Sequence, residues 1–228
     1  MAPLDFIEHP EKLGKIINDA GVQIHSVHLP YTDGASLSSP DEEITKASLD
    51  IIKVAIRSAA KLGAKVVVIH PSAGHYDEWD TREELLSHSI KCVKKVCEYA
   101  NSFNLKCAVE NMVKAAICNT ASEIVRYLKE IPSLGLCFDL NHSLINTNEE
   151  VFNRLIEEKM HGRIYHIHVS DYDFVNERHW LPGNGINDWE MILAKLEELN
   201  YDGAWMYEVA KTTASCLEVS QNYKKIVK

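Results

Sequence analysis

The feature that most constrains the fold of this chain is a unit that repeats along it: a short apolar run, a polar loop and an amphipathic segment. The runs are rich in β-branched and aromatic residues, as buried parallel strands are. They are Val22–His28, Lys65–His70, Leu105–Glu110, Leu134–Asp139, Arg163–His168 and Gly203–Glu208. Strands that alternate with helices favour a parallel sheet with right-handed crossovers. The spacing between the runs fits an α/β fold of the (β/α) TIM-barrel type.

The segments between the runs carry signals of helix N-termini. Ser39-Pro40-Asp41-Glu42 predicts a helix start with Pro at the first helical position. A helix is also expected over Pro10–Ala20, before the first strand. Three further S/T-x-x-E pairs mark helix starts, namely Thr81 with Glu84, Thr120 with Glu123, and Thr147 with Glu150.

Composition narrows the class of protein. No linker or low-complexity tract divides the 228 residues, so we expect a single domain over residues 1–228. The net charge of −9 argues against nucleic acid as a partner, because phosphate binding needs a positive surface. No apolar run is long enough to span a membrane, and the N-terminus lacks the features of a signal peptide. We therefore expect a cytoplasmic protein without membrane association, whose six cysteines are mostly buried free thiols.

Every predicted strand ends in a residue that can bind a metal. Since the carboxyl ends of barrel strands meet at one rim, we expect these side chains to lie close together. They are His28, His70, Glu110, Asp139, His168 and Glu208. Carboxylates crowded into such a cup would repel each other, and a divalent cation relieves this repulsion. Oxygen and nitrogen ligands without thiolates favour Mn, Co, Mg or Zn over a structural zinc site.

Four motifs connect the chain with a known family. They are His28-Leu-Pro-Tyr31, Asp139-Leu-Asn-His142, His166-Ile-His168-Val-Ser-Asp171, and Glu177-Arg-His179 followed by Gly183-Asn-Gly185. Together they resemble the xylose-isomerase-like barrel superfamily, which includes sugar phosphate isomerases and epimerases, D-tagatose 3-epimerase, hydroxypyruvate isomerase and endonuclease IV. The resemblance runs from about residue 10 to the C-terminus.

The resemblance implies a site and a reaction. In the epimerases two Glu, one Asp and one His hold the metal, which implies Glu110, Glu208, Asp139 and His168 here. The same two Glu side chains, Glu110 and Glu208, would act as acid and base. One removes a proton beside the substrate carbonyl, giving an enediolate, and a proton then returns. By the same resemblance, the substrate oxygens would be held by His142 and Arg178.

This interpretation predicts a sugar or sugar-phosphate isomerase or epimerase that binds a small-molecule substrate and one divalent ion. Return of the proton to the same carbon is epimerisation, and return to the adjacent carbon is aldose–ketose isomerisation.

Two alternatives remain open at this stage. A set of further residues resembles the three-zinc pattern of endonuclease IV: His28, His70, His142, Glu177 and His179. The chain would then be a zinc phosphodiesterase acting on abasic DNA, with two or three ions. The acidic net charge disfavours this hypothesis. A DNA-binding enzyme should also carry Lys and Arg in several rim loops, whereas this rim offers mainly Lys114, Arg178 and Lys211. The other alternative is an inactive remnant that still binds metal.

The position of the first strand departs from the superfamily. There the strand that ends in the His28-Leu-Pro-Tyr31 segment is the third, but only residues 1–21 precede it here. The sequence therefore predicts a TIM-barrel-like fold that lacks the first two strands of an eight-stranded barrel. Either the chain is truncated, or a partner or a swapped segment fills the gap, or the sheet stays open, so a homo-oligomer is a further expectation.

Overall fold

The computed structural model describes residues 7, 9–31, 36–72, 81–113 and 116–227. Within these ranges strands alternate with helices in chain order. The strands are β1 (Ser26–His28), β2 (Val66–Ile69), β3 (Lys106–Glu110), β4 (Leu134–Asp139), β5 (Ile164–Val169) and β6 (Trp205–Tyr207). The helices are α1 (Pro10–Asp19), α2 (Glu42–Lys61), α3 (Arg82–Asn101), α4 (Ala121–Glu130), α5 (Asn148–Glu157), α6 (Trp189–Glu198) and α7 (Cys216–Ile226).

The six strands form one parallel sheet in the order β1-β2-β3-β4-β5-β6. Each strand is hydrogen-bonded to the next one along the chain, and a helix follows each strand, as right-handed β-α-β crossovers require. The predicted α/β, TIM-barrel-like fold with six strands is therefore confirmed, and it takes the form of a half-barrel. In the part of the chain that the structure describes, β1 and β6 each pair with a single neighbour and form the two edges of the sheet.

The helices start close to the predicted positions, with a shift at α2 and without the predicted side-chain cap from Thr81 at α3. The helix α2 begins at Glu42, and Asp41 caps it by accepting hydrogen bonds from the backbone of Glu43 and Ile44. The prediction that Pro40 is the first helical residue was wrong, because the Asp41 carboxylate is the group that satisfies the free N–H groups. At α5 the predicted capping box is complete. The Thr147 side chain accepts a hydrogen bond from Glu150 N, and the Glu150 side chain accepts one from Thr147 N.

The two faces of the sheet differ in what covers them. The main core lies between the strands and the helices, and its buried strand residues are Val27, Val67, Ile69, Cys107, Val109, Leu134, Leu136, Phe138, Ile164, Ile167 and Val169. The opposite, inner face carries a small cluster of Val66, Val68, Ala108 and Cys137, with Tyr165 packed against it. The six cysteines are free, five of them buried and Cys216 exposed. Among the described residues, no helix has the length and apolar character that crossing a membrane requires.

A bulge in β5 sets which side chains face the inside of the half-barrel. Leu136 pairs with Ile164, whereas the next residue, Cys137, pairs with His166, so Tyr165 is an extra residue on β5. An extra residue of this kind places two successive side chains on one face and increases the local twist. Tyr165 can therefore pack on the inner cluster while His166 also points inward, where Ser26 Oγ lies 3.2 Å from His166 Nε2.

Candidate metal centre

The carboxyl ends of the strands bring the predicted residues to one rim. Three of them are the last residues of their strands, namely His28, Glu110 and Asp139. Two follow directly after a strand, namely His70 and Glu208, and His168 is one residue from the end of β5. Because successive parallel strands end at the same edge of the sheet, their terminal side chains converge there.

Glu110 lies at the centre of this rim and is only 1% exposed. Its Oε2 atom lies 3.0 Å from His28 Nε2 and 3.2 Å from His70 Nε2. Its Oε1 atom lies 3.1 Å from His168 Nδ1 and 3.5 Å from His142 Nδ1. Each oxygen of this carboxylate therefore faces a different pair of imidazoles, which is an arrangement that could serve two neighbouring cation positions.

A second cluster surrounds His168 Nδ1. This atom lies 2.8 Å from Glu208 Oε2 and 3.4 Å from Asp139 Oδ2, in addition to its contact with Glu110. Asp139 is fully buried, and its Oδ2 atom has no hydrogen-bond partner among the described residues. Glu110, Asp139, His168 and Glu208 each offer one ligand atom, and all four atoms lie within 4.8 Å of one another. A buried carboxylate oxygen without a hydrogen bond, inside a set of oxygen and nitrogen donors, fits a divalent cation.

A third cluster lies on the outer side of the rim. Glu177 Oε1 lies 2.6 Å from His179 Nε2 and 3.5 Å from His142 Nε2. The three side chains again place one ligand atom each within 4.8 Å, as do His28, His70 and Glu110. Five of the six additional predicted residues, all except Arg178, therefore come together in two further groups that adjoin the central four.

Three of the site histidines are oriented by backbone carbonyl groups. Because a carbonyl oxygen only accepts hydrogen bonds, the ring nitrogen beside it must carry the proton, which leaves Nε2 facing the carboxylates. The Nδ1 donors and their acceptors are His28 to Leu29 O at 3.0 Å, His142 to Asn111 O at 2.9 Å, and His179 to Glu208 O at 2.9 Å. Histidines that bind metals are commonly held in this way.

The charges of the cluster keep its carboxylates ionised. Burial by itself raises the pKa of Glu110, but the charge and hydrogen bond of His168 outweigh this and hold that pKa well below its ordinary value. Burial likewise raises the pKa of Glu208, and the hydrogen bond from His168 overcomes it and lowers this pKa to about 2. Burial lowers the pKa of His142, yet the neighbouring Asp139 and Glu177 raise it to about 10. Ionised carboxylates are the form that binds a cation.

Cys137 also lies within ligand distance of Glu110 and His168, which the sequence did not predict. Burial raises the pKa of Cys137 to about 12, so its thiol stays protonated at neutral pH. A protonated thiol is a poor metal ligand, and the oxygen and nitrogen donors are therefore the better candidates.

Arg178 was expected to hold substrate oxygens, but part of its guanidinium is engaged within its own loop. Its Nε atom donates to Asp173 Oδ2 at 2.7 Å, and its guanidinium lies 5.5 Å from the centre of the Trp180 ring. The side chain is thus anchored on its own loop, and only its terminal amino groups are left for another partner. Lys114, a second predicted basic residue of the rim, lies outside the described residues.

Sequence reasoning missed the residues that support the site. Asn111 Oδ1 accepts a hydrogen bond from Asp139 N at 2.7 Å, and its Nδ2 donates to Asp139 O at 2.9 Å. Asp171 accepts hydrogen bonds from Gly183 N at 2.8 Å and from Trp189 Nε1 at 3.1 Å, which fixes the loop beyond β5. Asp171 belonged to a recognised motif, but Asn111 follows Glu110 without any pattern that could have revealed it.

The sequence of residues 2–226 matches the family described as Xylose isomerase-like TIM barrel. The chain belongs to this family. The resemblance drawn from the motifs is therefore confirmed, and the match covers nearly all of the sequence.

Individual relatives show how far the similarity extends. An uncharacterised protein of Methanocaldococcus jannaschii is 28% identical over 209 residues, which cover 88% of this chain and 70% of that protein. The ketose 3-epimerase of Arthrobacter globiformis is 25% identical over 202 residues, covering 86% of this chain and 67% of that enzyme. The crystal structure of a D-tagatose 3-epimerase-like protein superposes with a TM-score of 0.83 at 24% identity, covering 96% and 82% of the two chains. The relatives thus include epimerases, which supports an enzyme of the isomerase class.

Proposed function

We propose that this chain is a divalent-metal-dependent epimerase or isomerase that acts on a ketose or a ketose phosphate. The observation that carries the proposal is the convergence of Glu110, Asp139, His168 and Glu208, whose ligand atoms lie within 4.8 Å of one another. The similarity to the ketose 3-epimerase of Arthrobacter globiformis supports the substrate class.

The four converging residues would hold a single ion, with Mn, Co, Mg and Zn all compatible with their oxygen and nitrogen donors. When bound, such an ion polarises a carbonyl and its neighbouring hydroxyl, which acidifies the carbon between them. The buried Oδ2 of Asp139, which lacks a hydrogen bond among the described residues, supports this position for the ion.

The two Glu side chains would move the proton from opposite sides of the substrate. The Glu208 side chain is 46% exposed and contacts one imidazole, so it can reach a substrate carbon from the open side of the rim. Glu110 approaches from the buried side, where four imidazoles hold it in place. Return of the proton to the same carbon from the opposite face gives epimerisation, and return to the neighbouring carbon gives isomerisation.

His142 and Arg178 would hold the substrate oxygens. His142 Nε2 faces Asp139 and Glu177 from inside the rim, so the protonated ring can donate to a sugar hydroxyl. The terminal amino groups of Arg178 can bind a hydroxyl or phosphate oxygen while its Nε stays on Asp173.

Solvent deuterium exchange into a panel of ketoses and ketose phosphates, with Mn²⁺ or Co²⁺ added, tests the proposal. The wild-type protein should place deuterium on the carbon beside the carbonyl of at least one substrate. Glu110→Gln and Glu208→Gln should each lower this exchange by about 100-fold or more, because the amide cannot accept the proton. Glu190→Gln, which changes an exposed carboxylate in the first turn of α6, should leave the rate unchanged. Full exchange in both site variants would refute the assignment of the acid and base.

A zinc phosphodiesterase acting on abasic DNA is the second candidate, and the two flanking groups of ligands favour it. His28 and His70 form one group with Glu110, which also belongs to the central four, and His142, Glu177 and His179 form another beside Asp139. Metal analysis after equilibration with Zn²⁺ separates the two candidates, since the epimerase requires one ion per chain and the phosphodiesterase three. In the second case, His28→Ala and His179→Ala should each remove one ion, and the protein should cleave an oligonucleotide that contains an abasic site. A wild-type protein that binds an ion but catalyses neither deuterium exchange nor cleavage of the abasic site would match the inactive remnant.

A further inference from the structure

We infer that Asn141 is a positioning residue that couples the Asp139 carboxylate to the turn formed by Glu177, Arg178 and His179. The inference rests on the proposed function in one respect, namely that these side chains hold a cation. Asn141 is fully buried at 0% exposure, two residues beyond the end of β4.

The hydrogen bonds of Asn141 run to both parts of the site. Its backbone N–H donates to Asp139 Oδ1 at 2.7 Å, which orients the carboxylate. Its side-chain Oδ1 accepts hydrogen bonds from Arg178 N at 3.0 Å and from His179 N at 3.3 Å. One residue therefore fixes the orientation of a central carboxylate and the location of the turn that carries Glu177 and His179.

The turn needs such a contact because its backbone is strained. His179 has a φ of 49°, in the left-handed region that side chains other than glycine adopt at a cost. Its carbonyl accepts hydrogen bonds from Ala210 N at 2.9 Å and from Thr213 Oγ1 at 3.1 Å, which tie the turn to the segment after β6. The contacts of Asn141 tie the same turn to the end of β4.

The oxygen and the nitrogen of the Asn141 side-chain amide differ in their hydrogen bonding. Its Oδ1 has two donors, whereas its buried Nδ2 has no hydrogen-bond partner among the described residues. An Asp side chain at this position would therefore keep both acceptor contacts and lose no hydrogen bond. Asn141→Asp is for this reason the variant that keeps the acceptor contacts, although it buries a second carboxylate beside Asp139, and Asn141→Ala is the variant that removes them.

Cobalt binding, followed by calorimetry and by visible absorption, tests the coupling. Asn141→Ala should bind Co²⁺ about 10- to 100-fold more weakly than the wild type, with a changed absorption spectrum, because supporting contacts of metal ligands have effects of this size. Asn141→Asp should stay within about threefold of the wild type, since it keeps both acceptor contacts. The control is Asn222→Ala, which removes a buried Asn whose Nδ2 donates to Pro182 O at 2.8 Å and whose Oδ1 accepts from the Tyr207 hydroxyl at 3.1 Å, without a hydrogen bond to the turn.

A measurement without metal separates the coupling from the proposed function. In protein labelled with ¹⁵N-histidine, the ring nitrogen signals of His142 and His179 should shift in Asn141→Ala, because Glu177 contacts both rings. The signals of the exposed His161 should stay in place. A wild-type protein that takes up no Co²⁺ would refute the proposed function, and the ring signals would still decide the coupling. Unchanged ring signals in Asn141→Ala, or losses of equal size in Asn222→Ala, would overturn the inference.

Discussion

His28 Nε2 lies 3.0 Å from Glu110 Oε2, so a residue at the edge of the sheet contacts the carboxylate at its centre. The strand β2 lies between the two, and its neighbour His70 approaches the same oxygen at 3.2 Å. The side chains at the rim of the half-barrel thus converge on Glu110. They do so although the sheet has two edges in the part of the chain that the structure describes. The consequences of this arrangement can be measured.

Loss of the imidazole that contacts three carboxylates should remove most of the stabilisation by metal. At 100 times the dissociation constant, Co²⁺ or Mn²⁺ should raise the free energy of unfolding of the wild type by about 2.7 kcal/mol. In His168→Gln the gain at the same ion concentration should fall below about 1.4 kcal/mol, since tenfold weaker binding already has this effect. Urea unfolding with and without the ion measures both values. His161→Gln at an exposed position is the control, and an equal gain in His168→Gln would count against the central site.

The ion pair between Arg82 and Glu123 should contribute far more to stability than a surface pair of the same type. Arg82 is buried, and its Nε lies 2.6 Å from Glu123 Oε1. Arg82→Ala should cost about 3–5 kcal/mol of unfolding free energy, because it leaves the Glu123 carboxylate, whose side chain is only 12% exposed, without its charged partner. Arg126→Ala, which removes partly exposed pairs with Glu83 and Glu130, should cost about 1 kcal/mol or less. Chemical unfolding of both variants provides the comparison, and equal costs would contradict this account.

Gly135 should tolerate no side chain while Tyr165 occupies the inner face of the sheet. A Cβ atom on Gly135 would lie 2.1 Å from Cδ2 of the Tyr165 ring. Gly135→Ala should therefore destabilise the protein by about 1–3 kcal/mol through overpacking. In the background of Tyr165→Ala the same change should cost little, because the ring is gone. A double-mutant cycle by urea unfolding measures the coupling, and additive effects would show that the ring can move aside.

His166 should make the protein less stable in acid. Burial, helped by the charges of His168 and His25, lowers the pKa of His166 to about 3, whereas an unfolded histidine titrates near 6.5. Between these two values the unfolded chain binds a proton that the folded protein does not, so stability falls as the pH falls. The expected slope is about 1.4 kcal/mol per pH unit from this residue. His166→Asn should remove this contribution to the change of unfolding free energy with pH between pH 4 and 6. An unchanged pH dependence in the variant would contradict the low pKa.

The sequence predicted the strands and the candidate ligands at their ends because both depend on local patterns. An apolar run that ends in Glu110 or Asp139 is visible in the residues themselves, and a parallel sheet brings such ends together. The bulge at Tyr165 was not predicted, since an alternation pattern does not show an extra residue in one strand. The contact between Asn141 and the backbone of His179 joins positions far apart in the sequence, so it depends on the packing of two loops.

The edge at β6 has a consequence for the fate of a transferred proton. Met206 is 42% exposed on this strand, and the Glu208 side chain beside it is 46% exposed. Water can therefore reach the carboxyl group of Glu208 from the flank, whereas Glu110 is almost fully buried. In the proposed reaction, a hydron taken up by Glu208 would exchange readily with the solvent pool, and one taken up by Glu110 would leave for solvent more slowly before the next turnover.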